Sequence, residues 1–296
     1  MTDHRSLDRR GLFRVGGIGL AAVALGPTLA ACSRTEDIVT LDSLREQGYI
    51  RVAINNEAPF GYIGDDGEVT GSSPELLRAI FTELGVEDVR AESVAWDGLI
   101  PGLKAKRFDA VAAGMYITPE RCAEIAFAEP TYRVLQAFLV PSGNPDGLST
   151  FDDIAANPDV TVAVLNASVE QGYAEGAGVP ADQIETVDNQ VSAYELLQNG
   201  RVDAVALSTL SLNRILEQRD GDFEVTEGFI PVVDGEEVTP AGGLAFRQGD
   251  TELLDEVNRV LAEFKESGRL LEIIEPFGFT EQELPGDLTT EQLCQA

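Results

Sequence analysis

Lys106-Arg107-Phe108-Asp109-Ala110-Val111 and Gly200-Arg201-Val202-Asp203-Ala204-Val205 are near copies of each other, set in the two halves of a 296-residue chain. Each passage follows a short amphipathic segment of helical period and runs into an apolar stretch, 108–114 (FDAVAAG) and 202–207 (VDAVAL). Short unbroken apolar runs of this kind mark strands covered on both faces, as in parallel sheets flanked by helices. Two such units predict an α/β protein of two similarly built lobes.

Outward from the first copy, 49–55 (YIRVAIN) and 89–94 read as strands, and Gly64-Asp65-Asp66-Gly67 as a turn. A helix is predicted over 76–84, with apolar positions 76, 77, 80, 81 and 84 on one face and Pro74 in its first turn. Around the second copy, strands are expected at 160–165 and 183–187 and helices at 170–177 and 191–199. An extended stretch at 242–247 and a helix at 253–265 close the pattern. The run 138–141 reads as the exit from the first lobe into the polar Ser142-Gly143-Asn144-Pro145 connection, and the chain returns near 240–245. The expected division is therefore 43–140 with 242–296 as lobe one and 141–241 as lobe two, joined by two crossings that make a hinge.

The start of the chain reads as an address. Arg5, Arg9, Arg10 and Arg14 precede an apolar run rich in Gly and Ala, the layout of a secretory signal over 1–31. Asp8-Arg9-Arg10-Gly11-Leu12-Phe13 partly matches a twin-arginine signal, so the export route stays open. Leu29-Ala30-Ala31-Cys32 resembles the bacterial lipobox, with Cys32 as the lipidated residue and 32–42 as a polar tether; the alternative is an ordinary signal with a chance cysteine. Such an anchor would hold the exported protein on the outer face of the cytoplasmic membrane. Cys122 and Cys294 remain, an even number in an exported chain: either a disulfide that staples the C-terminal tail to lobe one, or two free buried thiols.

Composition excludes several functions. With Lys+Arg 21 against Asp+Glu 51 the net charge is −30, a poor match to nucleic acid. The single histidine is His4, inside the expected leader, so the mature chain has no imidazole for Ser-His-Asp or Cys-His catalysis or for a zinc site. No phosphate-cradling P-loop occurs. Gly17-x-Gly19-x-x-Ala22 lies in the leader, and Gly176-x-Gly178-x-x-Ala181 contains Pro180 and follows a helix, so neither is a dinucleotide fingerprint. No metal and no cofactor is expected, and an enzyme is not.

The chain resembles the polar amino-acid type of solute-binding protein from ABC importers. The resemblance is carried by Ile50-Arg51-Val52-Ala53 through Pro59-Phe60, by Gly71-Ser72-Ser73-Pro74-Glu75-Leu76, and by Trp96-Asp97-Gly98-Leu99-Ile100-Pro101-Gly102-Leu103. Arg107-Phe108-Asp109-Ala110, the strongly specific Gly114-Met115-Tyr116-Ile117-Thr118-Pro119-Glu120-Arg121, and Gly268-Arg269-Leu270 extend it. It implies a two-lobed periplasmic-binding-protein-like fold with two hinge crossings (type II), acting as a monomer with an ABC permease as partner. It also implies aromatic walls at Phe60 and Trp96, a contribution from Gly114, and a carboxylate clamp at Arg121. A guanidinium fork suits that clamp, because it meets a carboxylate in two parallel hydrogen bonds. Read from the residues alone, Phe60 and Trp96 could equally pack a core, and Arg121 could be a surface residue at a helix start.

Three departures matter. Tyr116 stands where the family commonly has a small hydroxyl residue, Ser208 where it has the lobe-two aspartate that holds an α-ammonium, and Asn166-Ala167-Ser168-Val169 replaces a Gly-Thr-Thr cradle. Asn166 and Ser168 remain candidate donors. The set Phe60, Trp96, Tyr116, Glu57 and Arg121 suits a compact zwitterion with a delocalised cation, since aromatic faces attract such a cation. The resemblance is nearest to ectoine/hydroxyectoine-binding proteins, through Asn56-Glu57-x-Pro59-Phe60, Tyr116 and Pro119-Glu120-Arg121-Cys122. Glu57 is the one carboxylate expected in the pocket; otherwise it is a solvated loop residue. A polar amino-acid importer protein, or a dehydratase on the same fold, is the alternative.

Overall fold

The computed structural model describes residues 38–219, 221–233 and 235–295. The expected signal 1–31, Cys32 and most of the tether lie outside the described residues. In chain order the first elements are α1 (Leu41–Gln47), β1 (Tyr49–Ile54), the β2 (Tyr62–Ile63) and β3 (Val69–Thr70) hairpin, α2 (Ser72–Glu83), β4 (Asp88–Ser93), α3 (Leu99–Lys104), β5 (Ala110–Tyr116), α4 (Pro119–Cys122), β6 (Ala126–Phe127) and β7 (Tyr132–Arg133). The middle of the chain adds β8 (Gln136–Pro141), α5 (Phe151–Ala156), β9 (Val162–Leu165), α6 (Val169–Gly176), β10 (Ile184–Val187), α7 (Gln190–Gln198), β11 (Ala204–Ser208), α8 (Thr209–Gln218) and β12 (Phe223–Val225). A short β13 (Val232–Val233) and β14 (Glu236–Glu237) ribbon leads to β15 (Ala241–Phe246), α9 (Thr251–Ser267), α10 (Arg269–Ile274) and α11 (Thr290–Gln295).

Two mixed sheets form the two lobes. The first runs β4-β1-β5-β15-β6, with β7 also on β15, and the second runs β10-β9-β11-β8-β12. The β1, β4 and β5 neighbours are parallel, as are β9, β10 and β11; the strands that enter from the crossings, β15 and β8, are antiparallel. Every residue of β5 and of β11 is buried, because alternate side chains feed cores on opposite faces of each sheet. In β5, Ala110 and Ala112 join a cluster with α2 and α9, while Val111 and Ala113 join one with α3.

The near-copied passages do the same structural work. The Asp109 carboxylate accepts from the Arg51 backbone N–H at 3.1 Å, and the Asp203 carboxylate accepts from the Thr161 N–H at 2.8 Å. Each aspartate thus ties the entry of its central strand to the strand beside it. Asp109 is also held by the Arg51 and Arg247 guanidiniums at 2.7 and 3.4 Å, which offsets the cost of burying its charge.

The crossings correct the expected boundary. The run 136–140 lies in β8, which pairs with β11 and β12 of the second sheet, so it belongs to lobe two and not to 43–140. The chain leaves the first sheet after Arg133 and returns at Ala241. The two crossing segments touch where the Val134 N–H donates to the Pro240 carbonyl at 3.0 Å. An apolar run looks the same in either sheet; its strand partners decide. Cys122 and Cys294 are bonded, with Cα atoms 5.7 Å apart, and join α4 to α11.

Candidate functional site

A cavity of about 310 Å³ of atom-free space lies between the C-terminal ends of the central strands. Glu57, Phe60, Trp96, Gly114 and Tyr116 line it from lobe one, and Leu165, Ser168, Glu170, Leu207 and Ser208 from lobe two. Seven of the nine expected ligand residues are therefore wall residues; Arg121 and Asn166 are placed differently, as described below.

Glu57 sits on the turn that follows β1, where its backbone pairs with Gly61. Its two carboxylate oxygens accept from Asn55 at 2.9 Å and, across the lobes, from the Ser211 hydroxyl at 2.7 Å. Burial pushes its carboxyl up to about 7, against the pull of those hydrogen bonds. The Phe60 ring packs 4.9 Å from Tyr132 and edge-on at 5.7 Å to Phe279, so one face is core and the rest is cavity wall. Gly114 has φ +67, and a Cβ there would collide with the Phe60 ring, so the glycine is needed to let ring and strand approach.

Trp96 opens a single helical turn ahead of α3, and its indole N–H donates across the lobes to the Ala167 carbonyl at 3.2 Å. Arg121 lies on α4, whose first turn is capped by the Thr118 side chain. Its guanidinium is 8% exposed, donates to the Tyr116 carbonyl at 3.0 Å and lies 5.2 Å from the Trp96 ring centroid. Burial lowers its pKa and Glu170 opposes that effect, so the charge sits in a low-dielectric site with acid nearby. Burial likewise holds the Tyr116 hydroxyl well above the usual phenol range, in its neutral form.

In lobe two, Ser168 and Ser208 are N-caps of α6 and α8, accepting from Gln171 and Ser211 at 3.3 and 3.1 Å. Both hydroxyls thus anchor helices that begin at the cavity. Ser208 also donates to the Ser211 hydroxyl at 3.0 Å, which continues to Glu57. Asn166 is not a wall residue: it donates to the Asp97 carboxylate at 3.1 Å, a clasp between the lobes at the rim.

The sequence reading missed Glu170 and Gln136. Glu170 is 5% exposed on the cavity wall, so Glu57 is not the one carboxylate there. With its amide oriented to satisfy its neighbours, Gln136 accepts from the Tyr116 hydroxyl at 3.0 Å and donates to Glu170 at 3.0 Å and to the Leu207 carbonyl at 3.3 Å. A glutamate in the first turn of a helix is the usual solvated partner of the helix dipole, and a glutamine inside an apolar strand carries no signal of its neighbours. The cavity wall carries three aromatic surfaces and two carboxylates, and the Arg121 guanidinium lies beside the Trp96 ring. Among the described residues no cluster of His, Cys, Asp or Glu is arranged to hold a metal ion.

Known proteins of similar sequence and structure have related roles. The sequence pattern of the bacterial extracellular solute-binding proteins, family 3, matches residues 50–280. A probable amino-acid ABC transporter periplasmic-binding protein of Sinorhizobium fredii is 30% identical over 93% of this chain and 92% of its own length. An L-cystine-binding protein of Escherichia coli is 30% identical over 86% of this chain and 91% of its own. The crystal structure of EhuB in complex with hydroxyectoine superposes with a TM-score of 0.78 and 40% identity, covering 86% of this chain and 97% of that one. An ancestral amino-acid-binding protein, a precursor of cyclohexadienyl dehydratase, superposes with a TM-score of 0.70 and 31% identity over 80% of this chain and 98% of that one.

Proposed function

This chain belongs to the bacterial extracellular solute-binding proteins of family 3, binding proteins and not enzymes, and from that premise we propose that it captures ectoine or hydroxyectoine for an ABC importer. The observation that carries this reading is the convergence of Phe60, Trp96, Tyr116 and Glu57 around one small space, with the buried Arg121 guanidinium stacked on the Trp96 wall. The solute's carboxylate meets the Arg121 fork, and its ring cation is enclosed by the aromatic faces while Glu57 accepts its N–H groups. The 40% identity to a protein that holds hydroxyectoine supports the same assignment.

In this reading the solute completes a site whose halves lie on different lobes. Trp96 to Ala167, Asp97 to Asn166 and Glu57 to Ser211 are the contacts that closure makes and opening breaks. A solute that binds the closed arrangement better than the open one shifts the population, and the permease reads the closed surface. Cleavage before Cys32 and its lipidation would keep the protein beside that permease.

Trp96 is the chain's single tryptophan and stands in the cavity, so its fluorescence reports occupancy directly. Titration with ectoine is expected to give a saturable change in emission. No change with ectoine, beside a saturable change with arginine or cystine, would refute the ectoine assignment. A polar amino acid is the second reading: two relatives are named for amino acids, and Glu170 offers an α-ammonium the lobe-two carboxylate that Ser208 lacks.

A further inference from the structure

We propose that Tyr132 is a positioning residue for solute capture: from behind the cavity it sets where the Phe60 ring and the Gly114 backbone stand. The inference rests on the cavity being the solute site, whichever solute occupies it.

Tyr132 is not one of the residues lining the cavity, yet it is buried directly behind them. Its ring lies 4.9 Å from the Phe60 ring and 6.1 Å from that of Tyr116, so it backs two of the three aromatic walls. Phe279 completes the backing, edge-on to Phe60 at 5.7 Å and to Tyr132 at 5.9 Å. Aromatic pairs prefer particular tilts, so this stack fixes the orientation of Phe60 as well as its depth. The Tyr132 hydroxyl donates to the Gly114 carbonyl at 2.5 Å. The β5–β15 pairing shifts register between Gly243 and Ala245, and Gly114 falls in the irregular stretch between the paired Val111 and Met115. Irregular ladders of this kind re-aim a strand and leave its polar groups to find other partners. Burial holds the Tyr132 hydroxyl well above the usual phenol range, so the donor keeps its proton.

A side chain positions others only when it is itself held. The backbone around Tyr132 is clamped on both sides where the chain leaves lobe one. The Thr131 N–H donates to the Gly242 carbonyl at 2.8 Å, and the Val134 N–H to the Pro240 carbonyl at 3.0 Å. Gly242 stands opposite Tyr132 in the β7–β15 pair, and a Cβ there would collide with the Tyr132 hydroxyl. Gly114 in turn admits the Phe60 ring. Two glycines thus make room for one stack, ring on ring and hydroxyl on carbonyl. A binding wall loses its grip on a small solute when its support is loose, so this stack contributes to affinity without touching the solute.

The test is calorimetry on the disulfide-intact exported chain as wild type, Tyr132→Phe and Tyr132→Leu, each alone and combined with Phe60→Leu, well below every variant's melting temperature. Ectoine, arginine and cystine are titrated, and the series is read with the one that wild type binds most tightly. Tyr132→Phe keeps the ring and loses the donor, and is expected to weaken binding by about three- to tenfold, the worth of one hydrogen bond. Tyr132→Leu loses the aromatic pair as well and should weaken it by more than about tenfold. In the Phe60→Leu background both factors should shrink by about threefold or more, because the ring that Tyr132 positions is gone. A residue that only stabilises the fold lowers the melting temperature and gives the same factor with and without that ring. In the solute-free protein, carbon-13 NMR of Tyr132→Phe should show the Gly114 carbonyl and Phe60 ring signals displaced. Unchanged affinity in Tyr132→Phe, equal factors in the two backgrounds, or unmoved Gly114 and Phe60 signals overturns the proposal; Tyr132→Phe decides alone if the leucine variant does not fold. Wild type that binds arginine or cystine and not ectoine overturns the ectoine reading alone, and wild type that binds none of the three overturns both.

Discussion

Arg121 is a guanidinium almost wholly withdrawn from water, donating to the Tyr116 carbonyl with the Trp96 indole beneath it. A solute carboxylate is the group that suits the rest of its fork. Arg121→Ala is expected to weaken solute binding by about 3–5 kcal/mol, the usual cost of stranding one side of a buried charge pair. Arg121→Lys should recover only part of it, since an ammonium makes no fork. Calorimetry checks both, and retained affinity in Arg121→Ala would remove the residue from the site. Glu57 makes a pH prediction. Its carboxyl is raised from 4.5 to about 7 in the folded protein, so between those values the folded form holds a proton that the unfolded form has lost. Stability is then fully present below 4.5 and falls as pH rises to 7, by up to about 3 kcal/mol in total. Glu57→Gln, which cannot ionise, should be more stable than wild type at pH 8 and match it near pH 4.5 in denaturant unfolding; a pH-independent difference contradicts this. The placement of Phe60 and Trp96 at the cavity was legible because their neighbours carry specific motifs. Glu170 was not, because its burial comes from Gln136, Ser168 and the opposite lobe, none of which is marked by local spacing.

Elements set how close these groups come. Gly114 lets β5 pass against the Phe60 ring, and its left-handed backbone disfavours any side chain. Gly114→Ala is expected to cost about 1–3 kcal/mol, the usual penalty for overpacking. It should also displace Phe60, seen as a lower melting temperature together with weaker solute binding; unchanged melting would mean the contact relaxes freely. The α4–α11 disulfide closes a long loop and fixes the helix that carries Arg121. Replacing Cys122 and Cys294 together by serine is expected to lose about 2–5 kcal/mol of stability. Thermal unfolding with and without reductant gives the same comparison on the native chain. Strands 108–114 and 202–207 were legible because doubly covered strands are continuous apolar runs. The role of β8 was not, since strand pairing depends on β11 and β12, more than sixty residues away in sequence.

At the scale of the molecule, the −30 charge lies on a family whose solutes are captured outside the cytoplasm. So large an excess repels itself in the compact state, and added salt screens it. The melting temperature of the exported chain should therefore rise between about 50 mM and 1 M sodium chloride, where the Debye length falls to about 3 Å. A flat response would show that the acidic groups are already paired off. The two-lobed α/β architecture was readable from a repeated strand and its flanking helices, whereas the closed site was not, because Trp96–Ala167, Asp97–Asn166 and Glu57–Ser211 are contacts between lobes. On the proposed reading these clasps link closure to solute binding, and small-angle scattering should then show a smaller radius of gyration once solute is present. The central claim is the identity of that solute. Isothermal titration of the exported chain with ectoine is predicted to show tight one-to-one binding that Arg121→Ala abolishes, with arginine, glutamine and cystine much weaker. Absence of heat with ectoine, alongside binding of any of those amino acids, would contradict it.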